Sequence, residues 1–229
     1  MTRMQTLPNR FLAALAESTL ARWQPDLEPV ALQAGAVLQD FNQDPQYLYF
    51  PHTALVVLQQ RHKNGSVADV ALVGLDGVVG ADRVFGNDAT LSRSVVLMPG
   101  AAQRFPVAGF RQELEADSAL LHATLQYLQY LGRHMAVTAL CMLHHTPVQI
   151  LSRRILELGD RLPAAAGFAQ AVCLQGFAPG DMQSAKDALA QLCARGVVQM
   201  DGDQVSVLQR AGLERRACGC YAGARPGAG

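Results

Sequence analysis

The chain has 229 residues, of which 50% are hydrophobic and 17% are charged, and 19 basic residues balance 19 acidic residues, so the formal net charge is zero. This composition is typical of a globular protein with a buried core. It gives no general electrostatic attraction to nucleic acid, so any such binding must come from a local patch. No apolar run reaches the roughly 18 residues that span a bilayer, and the N-terminus lacks a signal-peptide pattern. We therefore expect a cytoplasmic protein with no membrane partner.

The first half of the chain has the pattern of short strands joined by tight turns. A helix capped by Asn9 and running to about Trp23 comes first. Apolar and β-branched runs follow, and Asn64-Gly65 between two of them is a strong hairpin signal, because that turn needs positive φ. The predicted strands cover residues 30–32, 37–38, 47–50, 54–62, 67–73, 94–98 and 101–105. So many short strands predict a small barrel or roll.

One long apolar helix is predicted from Phe110 to about Leu143. Apolar residues alternate four and three apart over three heptads, which is the a/d pattern of paired helices. This seam consists of Leu121, Leu125, Leu128, Gly132, Met135, Ala139 and Met142. A neighbouring apolar stripe consists of Leu120, Tyr127, Leu131 and Cys141. A helix that is apolar on two faces needs two partners, which we expect to be its own barrel and a second subunit. A plain core helix is the alternative.

A small helical domain with a hairpin is predicted after the break at residues 144–147. Thr146 caps a helix over residues 148–162, and Pro147 takes its first position. A second helix over residues 184–195 ends at Gly196, and two short apolar runs then flank Asp201-Gly202-Asp203. Helix, helix and hairpin is the order of a winged helix-turn-helix. The tail is rich in Gly, Ala, Arg and Pro and is predicted to be disordered.

The chain resembles the Crp/Fnr family of transcription regulators over nearly its whole length. The similarity lies in Tyr47-Leu-Tyr-Phe-Pro51, Val73-Gly-Leu-Asp-Gly-Val-Val-Gly80, Leu151-Ser-Arg-Arg-Ile-Leu156, and residues 184–198 with the hairpin that follows. The resemblance implies an α+β fold and a homodimer that binds double-stranded DNA. Its implied parts are a double-stranded β-helix or jelly-roll sensor barrel (1–109), a long dimerisation helix (110–145), a winged helix-turn-helix (146–221) and a disordered tail (222–229).

The resemblance also suggests where an effector would bind. In relatives that bind cyclic nucleotides, the Arg of a downstream Arg-Ser or Arg-Thr pair binds the phosphate, and the Glu of a Gly-Glu segment accepts a hydrogen bond from the ribose hydroxyl. The matching effector-binding residues here are Gly80, Arg93 and Ser94. Ala81 replaces the Glu and cannot accept a hydrogen bond, which argues against cyclic AMP and leaves a small anionic effector, or none, open. A surface or structural role for Arg93 is the alternative. No cysteine precedes Cys141, so the iron–sulfur cluster of the oxygen-sensing branch is not expected.

By the same resemblance, Gln183, Ser184 and Lys186 would contact DNA, with Arg153 and Arg154 assisting. Two features oppose this role. The preceding helix looks truncated, because Pro179 and Gly180 interrupt it. The region from 174 to 208 has two basic residues, Lys186 and Arg195, against four acidic ones, Asp181, Asp187, Asp201 and Asp203. The sequence thus predicts an effector-controlled regulator, with a DNA-incompetent relative that acts through protein contacts as the alternative.

Two cysteine motifs, Cys141-Met-Leu-His144-His145 and Cys218-Gly-Cys220, have side chains that bind metals or act as nucleophiles. Cys141 lies on an apolar stripe, and no third ligand or orienting carboxylate has suitable spacing. A lone C-x-C without a second pair is a weak metal pattern, and an odd cysteine count in the cytoplasm favours reduced thiols. The sequence therefore predicts no metal site, no cofactor and no catalytic residues, and the chain is not expected to be an enzyme.

Overall fold

The structure, a computed structural model, describes residues 9–41, 43–85, 92–163, 167–177 and 179–225. The chain divides into two compact units, residues 1–131 and 132–229. The first unit contains two antiparallel sheets, and the second contains helices with a small antiparallel sheet, which confirms the predicted α+β class. Within the described ranges, no helix is both long enough and apolar enough to traverse a bilayer.

The first unit is a β-roll built from the strands that the sequence predicts. They are β1 (Glu28–Leu32), β2 (Val37–Gln39), β3 (Tyr47–Pro51), β4 (Leu55–Arg61), β5 (Val67–Val73), β6 (Ser92–Met98) and β7 (Gly100–Pro106). The two sheets have the orders β1-β7-β3 and β2-β6-β4-β5. The predicted turn between β4 and β5 is present. Gly65 has φ 89° there, and the amide of His62 donates to the carbonyl of Ser66 at 2.8 Å.

The N-terminal helix is in fact two short helices, α1 (Arg10–Ala13) and α2 (Glu17–Trp23), so the prediction of one helix to about Trp23 is wrong. Asn9 caps α1 as predicted, because its Oδ1 accepts from the amide of Leu12 at 3.2 Å. The two helices both bury an aromatic ring beside Phe50, and each ring has a further aromatic partner of its own. Phe11 of α1 packs beside Tyr127, whereas Trp23 of α2 stacks on Phe105 with ring centroids 4.5 Å apart. The turn between the helices allows both contacts.

The long helix in the middle of the chain is also divided, into α3 (Val107–Ala116) and α4 (Ser118–His144). Asp117 separates them and caps α4, because its Oδ1 accepts from the amides of the second and third residues of that helix at 3.0 and 3.1 Å. Its Oδ2 accepts from the Thr19 hydroxyl at 2.7 Å and from Arg22 at 3.3 Å. The prediction of one helix from Phe110 is therefore corrected, and the cause is this contact with α2.

The second unit has the element order of a winged helix. Its elements after α4 are α5 (Pro147–Arg161), β8 (Phe168–Ala169), α6 (Gln170–Leu174), α7 (Met182–Ala194), β9 (Val198–Asp201), β10 (Gln204–Val207), α8 (Arg210–Glu214) and α9 (Cys220–Ala224). The sheet has the order β8-β10-β9. Thr146 begins α5 with the expected cap, because its Oγ1 accepts from the Gln149 amide and the Gln149 side chain accepts from the Thr146 amide.

The C-terminal segment is more ordered than the sequence predicts. Residues 222–224 lie in α9, so the prediction that disorder begins at residue 222 is wrong, while residues 226–229 lie outside the described part of the chain. Three contacts hold α9 in place. The Tyr221 hydroxyl donates to Asp160 at 2.7 Å, Arg161 donates to the carbonyl of Ala224 at 3.3 Å, and Ala224 is fully buried. These contacts with α5 offset the chain entropy that the tail composition favours.

The boundary between the two units falls inside α4, after Leu131, whereas the sequence analysis placed boundaries at 109/110 and 145/146. Each half of the helix packs within its own unit. In the first unit the Tyr127 hydroxyl donates to the carbonyl of Val78 at 2.9 Å. In the second unit Cys141 lies against Cys218, with their sulfur atoms 3.4 Å apart. The helix thus contributes to two cores and is not a separate element between them.

Candidate functional site

The predicted seam on α4 is the face that the chain leaves uncovered. All four residues of the neighbouring stripe are buried, with exposures of 7% or less. None of the seven seam residues is buried among the residues that the structure describes, and Leu125 is 49% exposed. The two faces therefore differ as the sequence predicts: one packs on the chain's own core, and the other remains available.

The residues predicted to bind an effector lie in one region of the β-roll. Gly80 has φ 89°, and a Cβ at this position would lie 3.8 Å from the side-chain oxygen of Gln39. Gln39 pairs with Ser94 between β2 and β6, and Arg93 is the next residue on β6. A larger residue at Gly80 would be strained by its positive φ and would also press on Leu48, whose side chain would be 3.2 Å away.

Carboxyl groups lie close to this region. The Nε of Arg93 is 3.4 Å from Oδ1 of Asp40, and both side chains are partly exposed. Asp82 accepts a hydrogen bond from Ser92 at 3.4 Å, and burial raises the pKa of its carboxyl. Ala81 is buried, and its side chain has no hydrogen-bond acceptor. An anion bound at Arg93 would compete with Asp40, so this arrangement differs from a phosphate cassette in which the arginine is free for the ligand.

Helix α7 presents the residues that were predicted to contact DNA. Gln183, Ser184 and Lys186 lie in its first turns and are exposed. Its opposite face is buried and consists of Ala185, Ala188, Leu189 and Leu192. A helix with an exposed polar N-terminal half has the form of a recognition helix. One of these side chains already has a hydrogen-bond partner, because the side-chain amide of Gln183 donates to the carboxylate of Asp187 at 2.9 Å.

The segments on either side of α7 are as predicted: the helix before it is short, and the tip of the wing after it is acidic. The helix before it, α6, has five residues, and Pro179–Asp181 forms a 3-10 turn in place of a longer positioning helix. At the tip of the wing, Gly202 has φ 58° and is flanked by the exposed Asp201 and Asp203. Carboxylates at this position would repel a phosphate backbone.

Arg153 and Arg154 do not lie where a DNA contact would need them. Both residues of α5 are buried, with exposures of 3% and 9%. The Nη1 of Arg153 lies 2.5 Å from Oε1 of Glu157 and also donates to the Thr138 hydroxyl at 3.3 Å. The prediction that these arginines assist DNA binding is corrected, because the positions that looked like a basic surface face the core of the second unit.

Glu157 is the centre of this buried ionic cluster. The Nε2 of His134 lies 3.6 Å from its Oε1, and Arg161 donates to its main-chain carbonyl at 3.3 Å. Burial alone would raise the pKa of Glu157, but the nearby imidazole of His134 and the charge of Arg153 hold it at about 2. Burial, together with the charge of Arg161, lowers the pKa of His134. The carboxylate therefore stays ionised and the imidazole stays neutral near neutral pH.

The comparisons with known proteins agree with this architecture. No protein-family model and no curated protein matches the chain. Among solved structures, FixK2 from Bradyrhizobium japonicum matches with a TM-score of 0.70 at 14% identity, over 84% of this chain and 98% of FixK2. The chain has the Crp/Fnr fold.

Two further structures support this assignment. The c-di-GMP-responsive global regulator CLP from Xanthomonas campestris matches with a TM-score of 0.62 at 14% identity, over 84% of this chain and 99% of CLP. A CRP/FNR-family transcriptional regulator from Thermus thermophilus matches with a TM-score of 0.60 at 16% identity, over 83% of this chain and 98% of that one. The resemblance stated from the sequence is therefore confirmed at the level of the fold.

One group of residues in this Crp/Fnr fold was missed by sequence reasoning. Cys141, His145, Cys218 and Cys220 come together in the second unit, with one potential ligand atom each and all four atoms within 4.8 Å of one another. The expectation of no metal site rested on spacing along the chain, and two of these four candidate ligands come from a distant segment. The C-x-C motif and the Cys-x₃-His motif were each visible in the sequence, but only the fold joins them. His144, in contrast, is exposed.

Proposed function

We propose that the chain is a homodimeric transcription regulator that binds double-stranded DNA through α7. The observation that carries this proposal is the exposed N-terminal half of α7, with Gln183, Ser184 and Lys186 outward, on a winged-helix unit. Solved structures of transcription regulators share the fold. The role is one of binding and not of catalysis, and such a regulator would act in the cytoplasm, where its DNA is.

The uncovered seam on α4 supports the homodimer. Apolar side chains that repeat with heptad spacing lose contact with water when two such helices pair. Leu121 and Leu128 are partly exposed and Leu125 is 49% exposed, so these side chains have apolar surface left to bury. A two-fold dimer would also supply two copies of α7, as a two-fold symmetric DNA site requires.

We place a small anionic effector at Gly80, Arg93 and Ser94 of the β-roll. The guanidinium of Arg93 is a positive group in this region, and its partner Asp40 is a surface carboxylate at 3.4 Å. An exposed ion pair of this kind contributes little to stability, so a ligand anion could replace Asp40 at small cost. Ala81 gives no acceptor for a ribose hydroxyl, which disfavours cyclic AMP as the effector.

DNA binding is tested through its dependence on salt. The wild-type chain should bind fragments of its own upstream DNA, and its affinity should fall steeply as salt rises. Lys186→Ala should lower the slope of log K against log salt by about 1, because one phosphate contact is lost. Fluorescence anisotropy at several salt concentrations measures this slope. Lys63→Ala is the matched control, since Lys63 is exposed in a turn of the β-roll. A wild-type affinity that does not change with salt concentration would contradict the proposal.

The second candidate function is that of a DNA-incompetent relative that acts through protein contacts. The acidic wing tip and the burial of Arg153 and Arg154 favour it. In that case the wild-type chain forms a stable dimer but binds no DNA. The two candidates differ in the winged-helix unit alone, so they share the dimer and the β-roll.

Charge reversal at the wing separates the two candidates. In a regulator whose wing lies along DNA, Asp201→Lys with Asp203→Lys should tighten binding and make the salt slope steeper by about 2, one for each new phosphate contact. Asp26→Lys with Asp44→Lys is the matched control, because it makes the same change at exposed residues of the first unit. Binding that appears only in the wing variant supports the second candidate. Equal gains in both variants would mean that the wing has no particular role.

A further inference from the structure

The second unit contains a cluster of metal-binding side chains that none of the sites above uses. It consists of Cys141, His145, Cys218 and Cys220, which we call the Cys₃His cluster. The sulfur atoms of Cys141 and Cys218 are 3.4 Å apart, and the Cys220 sulfur is 3.8 Å from Nδ1 of His145. All four potential ligand atoms lie within 4.8 Å of one another. All five cysteines of the chain are free thiols in the structure.

Two chain segments build the cluster. Cys141 and His145 are four residues apart at the end of α4, so they lie on the same side of the helix, and the amide of His145 donates to the carbonyl of Cys141 at 3.2 Å. Cys220 begins α9, and Cys218 lies two residues before it. The contacts of Tyr221 and Ala224 with α5 help to hold α9 in place and so position the second pair.

The geometry fits a tetrahedral zinc ion. Zn–S bonds of about 2.3 Å and Zn–N bonds of about 2.0 Å place neighbouring ligand atoms about 3.5–3.8 Å apart. The two measured separations lie within or close to that range. Three thiolates and one imidazole form a closed Cys₃His set, which is typical of structural zinc sites and leaves no open position for a substrate. Cys141 and Cys218 are buried, and the other two ligands are half-buried, as in such a site.

The charges around the cluster also fit a metal. Zinc with three thiolates and one neutral imidazole carries a net charge of −1, and the guanidinium of Arg153 interacts with the Cys141 sulfur. The three cysteines of the cluster are free thiols in the structure. Binding of Zn²⁺ would therefore release the thiol protons to solvent and replace three S–H bonds by three Zn–S bonds.

We propose that Cys141, His145, Cys218 and Cys220 bind one structural zinc ion that joins α9 to the end of α4. The ion would cross-link two segments that are more than 70 residues apart in sequence, and it would stabilise the second unit. This proposal does not depend on DNA binding, since none of the four ligands lies on α7 or on the wing.

Metal content tests the proposal directly. The full-length chain is purified without a polyhistidine tag or chelator, from cells supplied with zinc, under reducing conditions. Plasma mass spectrometry should find one zinc ion per chain. Cys220→Ser and His145→Ala should each weaken zinc binding by at least about 10-fold, since even changes outside the ligand shell cost about 10- to 100-fold. The matched controls are Cys193→Ser, a half-buried cysteine outside the cluster, and His144→Ala, and both should keep full zinc content.

Cobalt gives a second measurement that does not depend on any variant. Metal-free wild-type protein titrated with Co²⁺ should develop the intense visible bands of tetrahedral cobalt and a thiolate charge-transfer band, and Zn²⁺ should abolish both. A chelator should lower the melting temperature of the wild-type chain, and added zinc should restore it. An octahedral cobalt spectrum, or controls that lose as much zinc as the ligand variants, would overturn the proposal.

Oxidation of the cluster is the competing outcome. If the reduced wild-type chain binds no zinc and mass spectrometry after exposure to air finds a disulfide between Cys141 and Cys218, the zinc site is refuted. Loss of DNA binding with intact zinc content would instead count against the regulator function and leave the zinc site standing. The two failures are therefore distinguishable.

Discussion

Replacement of Glu157 by alanine should lower the free energy of unfolding of the second unit by about 3–5 kcal/mol, which is the range for removal of one partner of a buried ion pair. The carboxylate is 1% exposed and lies between Arg153 and His134. Without it, the guanidinium of Arg153 would stay buried and lose its carboxylate. Because domains are stable by only about 5–15 kcal/mol, this loss is a large fraction of the total. Urea unfolding followed by circular dichroism measures it, since the only tryptophan, Trp23, lies in the first unit.

A second arginine–glutamate pair provides the matched control. Arg210 and Glu214 also stand four residues apart on a helix, at 3.2 Å, but their side chains are 46% and 42% exposed. Glu214→Ala should cost only about 0.3–0.5 kcal/mol, because water screens an exposed pair. If Glu157→Ala costs no more than Glu214→Ala, the buried cluster does not stabilise the unit.

The same carboxylate makes the free energy of unfolding depend on pH. The pKa of Glu157 is about 2 in the folded chain and 4.5 in the unfolded chain, so between these values the unfolded state binds the proton more readily. Stability should therefore fall as the pH drops from about 4.5 towards 2. The pKa of His134 is lowered from 6.5, which adds a loss in the same direction below pH 6.5. Glu157→Gln should remove the loss below pH 4.5, and urea midpoints measured against pH would show whether it does.

Leu128→Asp should convert the proposed dimer to monomers. Burial of a leucine side chain is worth about 1.5–3 kcal/mol, and a two-fold interface loses this twice, so the dissociation constant should rise by more than about 100-fold. The two new carboxylates would also face each other near the two-fold axis. Light scattering at micromolar concentration measures the mass directly.

The control for the seam is an exposed apolar residue elsewhere. Val67 on β5 is 45% exposed and lies in the β-roll, away from α4, so Val67→Asp makes the same kind of change off the seam. This variant should remain a dimer. An unchanged mass for Leu128→Asp, or monomers from both variants, would contradict the heptad interface.

Local sequence patterns were enough to predict most of the elements. The Thr146 cap, the turns at Gly65 and Gly202, and the positions of the strands depend on neighbours within a few residues, and the structure has all of them. The two apolar stripes of α4 could also be separated, because helical periodicity assigns each side chain to a face. For the same reason the exposure of Gln183, Ser184 and Lys186 agrees with the sequence.

Contacts between distant segments decided the rest. Asp117 is a local capping residue, but its contacts with Thr19 and Arg22, almost a hundred residues earlier, are not visible in the pattern around residue 117. Arg153 and Arg154 have the composition of a basic surface, yet both are buried, and Arg153 has the ionised Glu157 as its partner. A sequence lists charges but does not show which of them have buried partners.

The sequence by itself determined the type, order and apolar faces of the elements, because short-range sterics, capping and periodicity act between residues that are close in the chain. Only the tertiary structure decided which charges are buried and which ligands meet. Cys141 and Cys218 stand more than 70 residues apart, and their contact depends on how α9 packs on α5. The free energy of such contacts arises from burial and electrostatics between segments, which no local pattern encodes.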